Sequence, residues 1–257
     1  MSTKTIIYEQ PLNELIRVCL RLEHLFKQLD VFLQNPNTDI QIQTIIRLTM
    51  DILNTLDRPD LKSKLSKEFN RHVTTFLRLK KNPGIDKNKL ADTLKELQRL
   101  KNYFINTQGK IAQPLRTNEF LTNIRHSLLS PGGDSCIDAP GYFYWLNLPI
   151  KTRQKQICVW LSEFQEIRSA IELLLQIVRN SSEPQELIAE KGFYYETLSS
   201  KSPCQLIRVA IPKKTKLFPE ISVSRYRINV RFIVPCTESH PKQTDKNIKF
   251  QLTKCVL

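Results

Sequence analysis

KTRQKQICVWLSEFQEIRSAIELLLQIVRN, residues 151–180, places Ile157, Trp160, Leu161, Phe164, Ile167, Ile171, Leu174, Leu175 and Val178 at three- and four-residue steps. That spacing lines one side of a helix. Near residue 185 the period changes from about 3.6 to 2. Strands are predicted over 192–196, 205–211, 223–234 and 246–254, and Ile248, Phe250 and Leu252 alternate with Lys249, Gln251 and Thr253. Alternation of this kind marks an antiparallel sheet with one face on a core and one in water.

Upstream of residue 151 the helical period persists. Residues 11–34 read PLNELIRVCLRLEHLFKQLDVFLQ, with Pro11 suited to a first helical position. Further helices are predicted over 40–56, from Pro59–Asp60 to about Lys80, over 87–105 and over 115–128. A turn is expected at 82–86 and an irregular loop at 130–141 (SPGGDSCIDAPG). Residues 4–9 (KTIIYE) read as a strand standing alone before a long helical run, so it must join the C-terminal sheet. The expectation is an α+β fold. It has a large N-terminal α-helical domain over 10–182 and a smaller antiparallel β domain made of 3–9 and 186–257. The tract 237–247 (TESHPKQTDKN) reads as an exposed hairpin loop.

Of 257 residues, 39 are Lys or Arg and 25 are Asp or Glu, a net charge of +14. Residues 201–257 hold 12 of the cations and only three acids, a local balance of +9. A concentrated positive field attracts anionic partners. Only six glycines occur, which argues against flexible linkers and glycine-built phosphate loops. The start MSTKTIIYEQ lacks the apolar stretch of a signal peptide, and no run is long enough for a membrane span. The six cysteines form no CxxC pair, so reduced thiols in the cytosol are expected.

Enzyme signatures are lacking: no GxSxG, HExxH, GxGxxG or GxxxxGK[ST] occurs, and the four histidines are scattered. No catalytic residue, metal site or cofactor is expected. The loop cluster Asp134, Cys136, Asp138 has a thiol between carboxylates, which raise a thiol pKa and so oppose activation. Its simpler reading is a tight loop in which Gly132 and Gly133 supply unusual backbone angles. Trp145 and Trp160 read as core.

The informative segment is SRYRINVRFIV, residues 224–234. As a strand it puts Arg225, Arg227, Asn229 and Arg231 on one face and Tyr226, Ile228, Val230 and Phe232 on the other. Guanidinium groups in a row repel unless acids dilute them, and each binds a carboxylate or phosphate through two parallel bonds. The row reads as an anion receptor without internal counter-charges. The alternative is a wet sheet face neutralised by nearby Glu side chains. Arg17 and Arg21 lie four apart on the polar side of the first helix. Arg58 precedes Pro59 at a helix start, where cations are disfavoured, although Asp57 and Asp60 are close enough in sequence to neutralise it.

The order of these features resembles the ZapD family of Z-ring-associated bacterial division proteins. The carrying segments are PLNELIRVCLRLEHL (11–25), SPGGDSCIDAP (130–140), WLNLP (145–149), KGFY (191–194), FPEIS (218–222) and RYRINVRF (225–232). The resemblance implies a cytoplasmic homodimer at the mid-cell division site. It would bind the C-terminal tail of FtsZ in a basic cleft between helical domain and sheet, and cross-link and bundle FtsZ filaments. It also implies that Arg58, Arg227 and Arg231 line the tail site, with Arg225 in place of a lysine. Arg21, with Arg17 beside it, would belong to a bundling surface. Glu119 and Phe143 depart from the family, which carries basic or imidazole side chains there. From the residues alone, the competing class is a basic nucleic-acid-binding protein. No recognition helix, RNP or zinc-finger motif supports it, and neither nucleic acid nor membrane insertion is expected.

Overall fold

A computed structural model of the chain describes residues 5–34, 38–80, 86–198, 204–224, 227–236 and 240–256. The chain divides into two compact units, Val18–Leu174 and Met1–Arg17 with Leu175–Leu257. The first is helical. The second holds an antiparallel β domain that includes the N-terminal strand.

Helix α1 spans Glu14–Leu33, α2 Asp39–Leu56, α3 Leu61–Leu79 and α4 Lys87–Asn106. Pro11 does not start α1. It ends a strand, and Asn13 caps the helix instead, its Oδ1 accepting from the Ile16 N–H at 2.8 Å. Thr38 and Gln41 form a reciprocal capping box on α2, and Asp86 caps α4. The predicted turn at 82–86 falls mostly outside the described residues. The expected helix over 115–128 is two: α5 (Gln113–Arg116) and α6 (Glu119–Ser127), the latter capped by Asn118. A short α7 (Pro140–Leu146) follows the glycine loop.

The helix predicted over 151–180 is also two, α8 (Ile150–Ser162) and α9 (Gln165–Arg179). At the break, the N–H groups of Glu163 and Phe164 donate to carbonyls three residues back, and the Ser162 hydroxyl bonds the Val159 carbonyl at 2.7 Å. The tighter turn sinks Phe164 into the core, edge-on to Phe26 at 6.2 Å. No Pro or Gly announces it, because the apolar stripe continues through the bend.

In the β unit, β1 (Thr5–Pro11), β2 (Gln185–Ala189), β4 (Cys204–Pro212) and β8 (Ile248–Val256) form one sheet in the order β1-β4-β8-β2. A second sheet has the order β3-β6-β5, from β3 (Phe193–Thr197), β6 (Arg227–Val234) and β5 (Phe218–Val223). The two-residue β7 (Lys242–Gln243) pairs with the end of β6. The N-terminal strand thus joins the C-terminal sheet, Tyr8 opposite Val209.

The expected single wet-faced sheet is two sheets. Ile207, Val209, Ile211, Phe250 and Leu252 from one meet Ile228, Val230 and Phe232 from the other in a shared core. Strands β4, β6 and β8 bury alternate residues of this core, and two such faces satisfy one another by packing together. The tract 237–247 does not link β6 to β8 within one sheet, since those strands lie in different sheets; part of it, Lys242–Gln243, pairs antiparallel with the end of β6, and its residues 237–239 fall outside the described set.

Glu9 fastens the N-terminal strand electrostatically. Its carboxylate accepts from Arg179 at 2.7 and 2.8 Å and from Arg208 at 3.0 Å, all three half-buried.

Candidate functional site

Strand β6 (RINVRFIV) sorts its side chains by parity as far as Phe232. Ile228, Val230 and Phe232 are fully buried, while Arg227 and Arg231 are exposed and Asn229 partly so. Arg227 and Arg231 share the outer face, four residues and about 13 Å apart along the strand. Arg225 lies outside the described residues.

Cross-strand register fixes what surrounds them. On one side Phe193, Tyr195 and Thr197 of β3 stand opposite Arg231, Asn229 and Arg227. On the other, Glu220 and Ser222 of β5 stand opposite Arg231 and Asn229. One outer face therefore carries cations in the middle, aromatic rings on one flank and a single described acid on the other. The Arg227 guanidinium sits over the Tyr195 ring, 5.9 Å from its centroid, a cation–π contact. The expectation of no internal counter-charge is corrected at Arg231, which meets Glu220 at 3.4 Å. Both partners are about half exposed, so the pair is worth only about 0.2–1 kcal/mol and exchanges readily for another carboxylate. Among the described residues no carboxylate pairs with Arg227.

The one acid of β3 faces away. Glu196 stands opposite buried Ile228, binds Lys254 at 2.5 Å and accepts from the Tyr194 hydroxyl at 3.0 Å. Burial and Glu196 push the Tyr194 phenol up to about 12.

Strand β3 is held in place by a tight turn. Between Glu190 and Phe193, Lys191 and Gly192 both have positive φ, 46° and 72°, the pattern of a type I′ hairpin turn. A Cβ at Gly192 would lie 2.5 Å from the Thr244 carbonyl oxygen, so glycine is needed for space as well as for its angle. The Lys191 N–H donates to Asn247 Oδ1 and its carbonyl accepts from Gln243 Nε2, both at 2.9 Å. The KGFY segment thus positions the aromatic residues at the arginine face. Phe193 and Tyr195 are two residues apart in a predicted strand, and that spacing could have placed them on one face. Strand β5 was hidden by Pro219; it is an edge strand, where a proline's missing donor is tolerated.

The remaining predicted residues lie elsewhere. Arg58 is half-buried in the turn between α2 and α3, in the helical unit. Asp57, one of its two suspected neutralisers, is instead gripped by Lys110, Arg116 and Arg125 at 2.9–3.1 Å. The other, Asp60, pairs with Lys64 at 2.5 Å and also feels the Arg58 charge, both of which lower its carboxyl pKa. Arg17 pairs with Glu14 at 3.3 Å in the first turn of α1, and Arg21 is exposed one turn on. Glu119 occupies the first turn of α6, where its charge suits the helix dipole, and Phe143 is half exposed on α7.

The enzyme-like loop is held by structural bonds. Arg47 binds Asp134 at 2.5 Å, and Ser135 donates to Asp138 at 2.9 Å. Gly132 has φ 72°, as expected, but Gly133 serves a different need: a Cβ there would meet the Ser127 carbonyl oxygen at 1.7 Å. Trp145 and Trp160 pack with Phe120, centroids 5.6–5.8 Å apart. Among the described residues no cluster of His, Cys, Asp and Glu could hold a metal ion, and no helix is long and apolar enough to cross a membrane.

The family model described as "ZapD: Cell division protein" matches residues 20–231. The chain is 38% identical over 257 residues to "Cell division protein ZapD" of Coxiella burnetii (strain RSA 331 / Henzerling II), covering 99% of both chains. It is 34% identical to the protein of that name from Azoarcus sp. (strain BH72), over 98% of this chain and 100% of the relative. It is 36% identical to that of Ralstonia pickettii (strain 12J), over 97% and 99%. Matches that run nearly end to end span both the helical unit and the arginine face, and the chain belongs to the ZapD family of cell division proteins.

Proposed function

We propose that the chain is a non-catalytic division adaptor that binds the C-terminal tail of FtsZ through the outer face of β6. Acting as a cytoplasmic homodimer at mid-cell, it cross-links and bundles FtsZ filaments and so stabilises the Z ring. The observation that supports this reading most is the exposure of Arg227 and Arg231 on one face with only Glu220 as a described counter-charge. Such a face suits an extended peptide bearing carboxylates, which guanidinium groups bind by charge-assisted pairs. Family membership supports Arg58 and Arg225 as further tail contacts and Arg21 as part of the bundling surface, to which Arg17, four residues before it on α1, would add. A single tail contact is weak, but many tails presented on one polymer raise avidity by about 10²–10⁴.

The test is co-sedimentation with polymers of full-length and tail-deleted FtsZ. Pelleting with the first and not the second is expected; equal pelleting with both refutes the tail as the docking element. In anisotropy with a labelled tail peptide, Arg227→Ala and Arg231→Ala should each cost about 1–3 kcal/mol. Unchanged binding would remove that residue from the site.

One observation favours a second reading. Arginines beside an exposed stacked aromatic pair also compose a platform for single-stranded nucleic acid. A gel shift at physiological salt with a single-stranded oligonucleotide decides it, and no shift is expected.

A further inference from the structure

The flank of the arginine face is more apolar than an anion receptor requires. Phe193 is 39% and Tyr195 62% exposed, their rings stacked with centroids 6.1 Å apart. Large apolar groups held open to water in this way mark contact surfaces when they cluster. Here they do. Phe193 and Tyr195 border a concavity of about 530 Å³ that also reaches Ile188 on β2, itself half exposed. The strands carrying these residues, β2 and β3, are the edge strands of their sheets and are joined by the clamped turn at Lys191–Gly192. The surface is therefore set in place before any partner arrives. Its polar rim is supplied by Glu190, Lys191 and Asn247.

We propose that this concavity is an apolar anchor site, taking an aliphatic or aromatic side chain of the same acidic peptide that the arginines bind. The inference rests on the tail-binding reading and adds the second half of its recognition. Charge complementarity chooses the occupant: Phe193 stands directly opposite Arg231, and Arg227 lies over Tyr195. A ligand seated on the rings therefore meets two cations within about one strand spacing. Neighbouring strands lie ~4.8 Å apart and an extended peptide advances ~3.3 Å per residue. An acid over β6 and a side chain beyond β3 are thus two or three residues apart in the ligand. Arginines alone accept any carboxylate; the aromatic shelf rejects acidic segments that have no apolar residue at that spacing. Interfaces concentrate binding energy in such aromatic and arginine groups.

The experiment is a double-mutant cycle between full-length protein and labelled FtsZ tail peptide, read by anisotropy. Phe193→Ala and Tyr195→Ala should weaken binding about tenfold or more, and Tyr195→Phe should recover most of what Tyr195→Ala loses. On the peptide side, each apolar residue is replaced by serine. One of them, two or three residues from an acid, should lose affinity for the wild-type protein and little more for Tyr195→Ala. Both side chains are exposed, so thermal melts of the variants should match wild type. Wild-type affinity of Phe193→Ala and Tyr195→Ala, alongside lost binding in Arg227→Ala and Arg231→Ala, overturns the anchor site and leaves the tail reading standing. Additive losses in every cycle overturn it too. Wild-type affinity of the arginine variants would instead sink the tail reading. A thymidine oligonucleotide that displaces the peptide at physiological salt, and loses that ability in Tyr195→Ala, would reassign the rings to base stacking.

Discussion

A single ion pair sets the resting state of the arginine face. Glu220 is the one described acid on it and meets Arg231 across the β5–β6 ladder at 3.4 Å. An incoming carboxylate must displace or share that contact, at a cost of about 0.2–1 kcal/mol. Glu220→Gln should therefore tighten tail-peptide binding by about 1.4- to fivefold, the same energy expressed as affinity. Unchanged or weaker binding by anisotropy would mean that Arg231 does not reach the ligand. The arginine row was legible in the sequence because strand parity is absolute: residues two apart share a face. Its counter-charge was not legible. Glu220 and Arg231 are separated by a loop, and only the register of two strands makes them neighbours. Phe193 and Tyr195 fall between these cases. Their shared face follows from their two-residue spacing within FYYET, but their nearness to the arginines depended on β3 pairing with β6.

Among the elements, the helical unit is tied together at Asp57, the residue that follows α2. Its carboxylate accepts from Arg125 at the end of α6, from Lys110 and from Arg116 of α5. The bonds from Arg125 and Lys110 outweigh the opposing effect of partial burial, Arg116 adds to them, and the carboxyl is held down to about 2. A depressed carboxyl pKa stabilises the fold wherever the unfolded chain would also be ionised. This contribution is complete above about pH 4 and is lost as pH falls toward about 2. Asp57→Asn should destabilise the protein by about 2–3 kcal/mol near neutral pH, since the largely buried Arg116 guanidinium loses its carboxylate. The variant should also show a flatter loss of stability between about pH 4 and 2. Urea unfolding across that range checks both, and parallel curves for variant and wild type would contradict the assignment. Most helices could be read directly because amphipathic spacing and caps are local signals. The break at Glu163–Phe164 could not, since the apolar stripe on either side keeps its phase.

For the whole molecule, the charge of +14 makes solvent ions competitors for every acidic partner. Arg227 and Arg231 are exposed, and the screening length falls from roughly 14 Å at about 0.05 M salt to about 8 Å at 0.15 M. Tail affinity should drop several-fold over about 0.05 to 0.5 M salt, and the drop should shrink in Arg227→Ala. A salt-independent affinity would show that the arginines make no contact with the tail. The sequence by itself determined the helical and β parts, the N-terminal strand's return to the C-terminal sheet and the sorting of β6 into a buried and a cationic face. All of these follow from local periodicity and from the rule that a strand cannot stay unpaired. Only tertiary structure decided that β6 and β8 belong to different sheets, that Glu220 meets Arg231 and that two aromatic rings border the cations. Those outcomes depend on pairing between segments distant in the chain, which is set by how buried faces satisfy one another and leaves no mark on either segment alone.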